Sequence, residues 1–176
     1  MKKVILSLLL AVVMLLGLSI PVMAADPTVT ITVAATVISI TNTQSTWAIG
    51  SVEPDDVIYF SATGLQNDTY SQVENTGNVS VDVEIQGTDF EGGTYDWVLQ
   101  SAPGDQIYSL YANSEATPTV YDVEVKSSVY GDLTTDLATS GTYDWSMKFT
   151  APTVFDPADA GASKDATVTL VASKHV

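Results

Sequence analysis

The sequence predicts an all-β fold: a single antiparallel β-sandwich of about nine strands over residues 25–176, behind a leader at 1–24. Three observations lead there. Apolar residues recur with period two, no stretch sustains the i, i+3, i+4, i+7 spacing of an amphipathic helix, and Gly, Pro, Asn and Asp clusters break the chain at short intervals.

The elements follow in order. Met1-Lys2-Lys3 precedes an apolar run from Val4 to Ile20, and Pro21-Val22-Met23-Ala24 ends it with small residues. That layout predicts a secretory signal peptide cut before Ala25, with the next bond as the alternative. A retained membrane anchor is the competing reading, opposed by Pro21 and the A-x-A-like end. Val29-Thr30-Ile31-Thr32-Val33 alternates, and Val37-Ile38-Ser39-Ile40 follows two alanines, as one bent strand or two. Glu53-Pro54-Asp55-Asp56 reads as a tight turn before a strand at Val57–Phe60. Tyr70–Val73 leads through the turn Asn75-Thr76-Gly77-Asn78 into Val79–Ile85, which sets four apolar residues on one face and Ser80, Asp82 and Glu84 on the other. Further strands are expected at Tyr95–Leu99, Ile107–Tyr111, Val120–Val125, Tyr143–Phe149 and Ala166–Val171, and a loop with one helical turn over Val154–Ala162.

One pentapeptide occurs twice, as Gly93-Thr94-Tyr95-Asp96-Trp97 and Gly141-Thr142-Tyr143-Asp144-Trp145. It marks a duplicated strand pair or two equivalent sheet edges; two copies are too few for a solenoid. In a strand, Tyr and Trp two positions apart share a face, so Tyr95 with Trp97 and Tyr143 with Trp145 are expected as core or rim aromatics, or as a ligand-stacking platform.

Composition bounds function. The formal charge is −15 and there is no arginine; loss of Lys2 and Lys3 with the leader would bring the charge to −17. Such a surface repels phosphate backbones and anionic headgroups, which argues against nucleic-acid and membrane partners and favours solubility. Zero cysteines leave stability to packing alone, which suits a prokaryotic secreted domain. The lone histidine, His175, lies at the chain end, so no Ser-His-Asp triad or His/Cys zinc site can be assembled and no enzyme is expected. No cofactor is expected either. Calcium is the one ion to weigh, with hard oxygen ligands at Asp89, Glu91 and Asp96 around Gly92-Gly93, or at Asp55-Asp56, or at Asp156 and Asp159. Acids that cap turns and guard edge strands give the same pattern. Asn67-Asp68-Thr69 and Asn78-Val79-Ser80 fit the N-glycosylation sequon.

The stretch Val52–Gly87, with its Glu-Pro-Asp-Asp turn, strand, Val73-Glu74-Asn75-Thr76-Gly77-Asn78 and alternating strand, resembles prokaryotic surface proteins with immunoglobulin-like or jelly-roll-like sandwiches. Among these it is similar to secreted filament subunits of the TasA and camelysin type. That resemblance implies an extracellular or cell-surface structural protein that partners itself, an extended N-terminal segment completing the sheet of the next subunit. Asp26–Ile40, β-prone and uncharged after Asp26, suits that part. Trp97-Val98-Leu99 also resembles the WxL cell-wall-binding motif, which implies a cell-wall glycan as partner; Trp145-Ser146-Met147 departs from it.

Overall fold

The computed structural model describes residues 32–60, 70–113 and 120–176. The expected leader and the expected strand at Val29–Val33 lie outside these apart from Thr32 and Val33, which carry no strand, and the sequon at Asn67 also lies outside them. A compact unit spans Ala35–Val176.

The fold is all-β, and the described residues form eleven strands and a single 3-10 turn. In chain order the strands are β1 (Ile40–Asn42), β2 (Val57–Tyr59), β3 (Ser71–Asn75), β4 (Val81–Gly87), β5 (Val98–Leu99), β6 (Ile107–Ala112), β7 (Val123–Glu124), β8 (Gly131–Leu137), β9 (Thr142–Trp145), β10 (Met147–Thr150) and β11 (Val168–Lys174). They make three sheets, ordered β1-β3-β9, β2-β10-β6-β5 with β7 also on β6, and β11-β4-β8. All the strand pairs are antiparallel except β5 with β6. One apolar core draws residues from all three sheets, among them Val73, Val83, Ile85, Leu110, Leu133 and Phe149, so the sheets face a common interior as a sandwich does.

β4 is the strand that its sequence alternation promises. Val81, Val83, Ile85 and Gly87 are buried, while Asp82, Glu84 and Gln86 are half-exposed. The helical turn expected within 154–162 is the 3-10 turn Pro157–Asp159, whose Asp156 side chain accepts from Ala158 N–H.

Three expectations are corrected. First, β8 was not foreseen. Its inward residues Leu133 and Leu137 are separated by a bulge against β4, with Asp136 at φ 52°, which erases the period-two signal. Second, the run expected as one strand over Tyr143–Phe149 is two. Trp145, Ser146 and Met147 are buried in succession, and the chain passes at Ser146 from the sheet of β3 to the sheet of β6. The Ser146 N–H, left without a ladder partner at that corner, donates to Asn113 Oδ1 at 2.5 Å. Third, the two pentapeptides differ in structure: the second is β9, whereas the first runs through bends, with Gly93 at φ 78°, before β5 begins.

Candidate functional site

An open cleft of about 980 Å3 lies among the described residues. Its floor is the inward face of β6 and β10, through Tyr108, Leu110, Met147 and Phe149. One side is the β1–β2 connection with Trp47, Ile49 and Val52; the other is the 155–166 connection together with Val168 and Leu170 of β11. Burial, with the Asp89 charge adding to it, pushes the Tyr108 hydroxyl well above the ordinary tyrosine value, so it remains a proton donor, to Thr88 O.

β11 gives the cleft its character. Among the described residues it ends its sheet and pairs with β4 on one side only. Residues directly opposite in a ladder share a face, so Leu170 sits beside Ile85, and Ala172 beside Val83. Those β4 partners are completely buried, while Val168, Leu170 and Ala172 are only partly covered. The edge carries Val-Thr-Leu-Val-Ala-Ser before its first charge at Lys174, without the prolines or inward charges that usually blunt an edge strand.

A buried ion pair closes one end. Asp159 Oδ2 lies 3.0 Å from Lys164 Nζ, and their side chains are 3% and 5% exposed. Asp159 Oδ1 accepts from the Thr94 and Tyr95 N–H groups at 2.6 and 3.2 Å. Lys164 also donates to Gly92 O at 2.6 Å and to Tyr95 O, and it sits 5.5 Å from the centre of the Trp97 ring. Burial by itself would raise the Asp159 carboxyl; the hydrogen bond from Thr94, the lysine and the Tyr95 N–H outweigh it and hold the carboxyl below its ordinary value. Gly93 is required here, because a Cβ would lie 2.6 Å from Asp159 Oδ1. The pair thus ties the first pentapeptide to the 155–166 wall.

The residues singled out from sequence fall as follows. Asp89 Oδ1 accepts from Leu99 N–H at 2.8 Å and so caps β5. Glu91 bridges to Asp165 through the backbone, and Asp96 is exposed. The structure does not bring these three together, and among the described residues no group of three or more His, Asp or Glu is placed to hold a metal ion. Asp56 Oδ2 accepts from Glu53 N–H within the expected turn.

Of the aromatic candidates, Trp97 and Trp145 are buried, at 9% and 3% exposure. Trp97 stacks on Phe155 at 4.9 Å, and Trp145 Nε1 donates to Asn42 Oδ1 at 3.1 Å. Tyr143 is half-buried and Tyr95 is exposed. The shared face therefore holds for Tyr143 and Trp145 on β9, but not for Tyr95 and Trp97, which leave the strand geometry that would align them. His175, next to the last residue of the sequence, is held: its backbone N–H donates to Ser80 O at 3.0 Å, and its Nδ1 lies 2.7 Å from Asp82 Oδ1.

No protein-family model matches the chain, and no curated protein does. The cleft joins segments far apart in the chain, and the ion pair, although within one connection, is bound to the distant backbone of Gly92, Thr94 and Tyr95, which is why both were missed from sequence. Lys164 was nonetheless a usable signal, being one of four lysines after residue 24 and standing in an acidic connection.

Proposed function

We propose that this protein is a non-catalytic structural component of an extracellular or cell-surface assembly, exported through residues 1–24, which joins to copies of itself by strand addition. The N-terminal segment of one copy lies along the open edge of β11 in the next and sets its apolar side chains into the cleft. The observation that carries this reading is the open cleft with an apolar floor beside an edge strand that, among the described residues, is unpaired on one side.

Two further facts support it. The segment Val29-Thr30-Ile31-Thr32-Val33 has the alternation an added strand needs, with three β-branched side chains on one face and threonine on the other. Val37 and Ile38, at its root, are 50% and 43% exposed. Burying three such side chains contributes about 1.5–3 kcal/mol each, enough to offset much of the cost of association.

Light scattering and negative-stain microscopy on the chain from Ala25 test this. Filaments or large oligomers are expected, and Leu170→Asp, which puts a charge on the cleft face of β11, is expected to abolish them while leaving a folded monomer. A monodisperse monomer for the unsubstituted chain, or assembly unaffected by Leu170→Asp, refutes strand addition; retention on cell-wall glycan by such a monomer would point to a binding module instead.

A further inference from the structure

The arm that the strand-addition reading requires has a root, and that root is held by a specific set of contacts. Residues 35–39 run beside the corner between β3 and β4. Thr76 and Gly77 donate their N–H groups to Ser39 O at 2.9 and 3.1 Å, and Asn78 donates its N–H to Val37 O at 3.0 Å. The Asn78 side chain then grips the same segment from both ends of its amide: Oδ1 accepts from Val37 N–H at 2.7 Å, and Nδ2 donates to Ala35 O at 2.8 Å. Gly77 permits the approach, since a Cβ there would lie 2.4 Å from Val37 O and 3.1 Å from Ser39 N. Its φ is not positive, so close contact and not backbone conformation calls for glycine at this position.

The grip ends where another segment takes over. Residues 77–79 bend between β3 and β4, and beyond them the bonding partner changes. Thr76, Gly77 and Asn78 bond to residues 37–39, whereas Ser80 O accepts from His175 N–H and Val81 pairs with Lys174. β11 therefore occupies that edge of β4 from Ser80 onward.

We infer that Gly77 and Asn78 form a clamp that fixes the root of the assembling arm, so that the arm reaches the cleft of a second copy instead of folding into its own. This rests on the strand-addition reading and adds its control. With the root held at Ala35, the arm has a short leash. Released back to Ile40, it gains five residues of slack, and slack favours insertion into the cleft of the same copy, because a tethered segment sees that cleft at an effective concentration of millimolar order, far above that of other copies. Asn78 is also part of a glycosylation sequon, but here its Nδ2 is committed to Ala35 O.

The absence of cysteine allows a clean test in the chain from Ala25. Thr30→Cys marks the arm and Thr169→Cys marks β11. Copies carrying one cysteine each, mixed and oxidised, report joining between copies as disulfide-linked dimers; copies carrying both report internal closure as cross-linked monomers. The unsubstituted clamp is expected to give mainly dimers from the mixture and few closed monomers. Asn78→Ala and Gly77→Ala are each expected to raise the ratio of closed monomer to dimer about tenfold, the factor that about 1.4 kcal/mol represents. Asn78→Asp, which keeps the acceptor for Val37 and loses the donor to Ala35, is expected between the two and serves if either other variant fails to fold. An unchanged ratio in the folded clamp variants overturns the clamp while leaving strand addition intact. No dimers from the mixture with the clamp unsubstituted overturn strand addition itself.

Discussion

Replacing Lys164 with methionine keeps most of the side-chain volume and removes the charge, which makes it a direct probe of how the cleft wall is held. The ammonium serves three oxygens, those of Gly92, Tyr95 and Asp159, and lies over the Trp97 ring. In Lys164→Met the Asp159 carboxylate keeps its two backbone donors but loses the cation 3.0 Å away, with its side chain 3% exposed. Breaking one partner of a buried pair costs about 3–5 kcal/mol, because the remaining charge stays desolvated. The open cleft alongside lets water reach the site at modest rearrangement, which puts the expectation at the low end, about 3 kcal/mol. For a chain of this size that is a fall of about 6–12 °C in melting temperature. Urea unfolding followed by tryptophan fluorescence measures it, and Trp97 reports on the site directly. A companion cycle with Asp159→Asn and the double variant isolates the pair: the two single losses are expected to exceed the double loss, since removing both charges leaves nothing stranded. If Lys164→Met lies within about 0.5 kcal/mol of the parent, the range of ordinary surface substitutions, the wall is not held by this lysine.

Other perturbations follow from the same contacts. Gly93→Ala forces a Cβ to within 2.6 Å of Asp159 Oδ1 at a φ of +78°, so a loss of about 1–3 kcal/mol is expected from urea midpoints, and a neutral result would mean that the turn reshapes freely. Phe149→Ala removes a ring that is 1% exposed and lies 5.8 Å from Tyr108 and 5.9 Å from Phe90, centre to centre; about 3–5 kcal/mol is expected by calorimetry or urea titration. Acid stability tests the carboxylates. The Asp136 N–H, partly opposed by desolvation and aided by His175, lowers the Asp82 pKa, and that of Asp159 is lowered as described. Both groups bind protons more weakly folded than unfolded, so their stabilisation is full above about pH 4 and declines as the pH falls through their folded values. Urea midpoints should drop between pH 6 and pH 3, and Asp82→Asn or Asp159→Asn should each make that drop shallower; midpoints independent of pH in this window would contradict the assignment.

The strand content was legible in the sequence because period-two alternation is a local property: β4 needs only Val81, Val83 and Ile85 on one face to declare itself, and the turns at Glu53–Asp56 and Asn75–Asn78 declare themselves by residue type. The acidic charge and the lack of cysteine are likewise matters of composition, as is the leader pattern. Tertiary structure decided what such signals cannot encode. The same Gly-Thr-Tyr-Asp-Trp is a strand where β3 supplies a partner and a turn where the Asp159 carboxylate collects its N–H groups, because five residues of local preference are weaker than the long-range hydrogen bonds on offer. β8 depends on a bulge that only its pairing with β4 defines. The cleft beside β11 and the grip of Asn78 on residues 35–37 depend on segments dozens of residues apart, and nothing in either segment alone specifies which edge is left open.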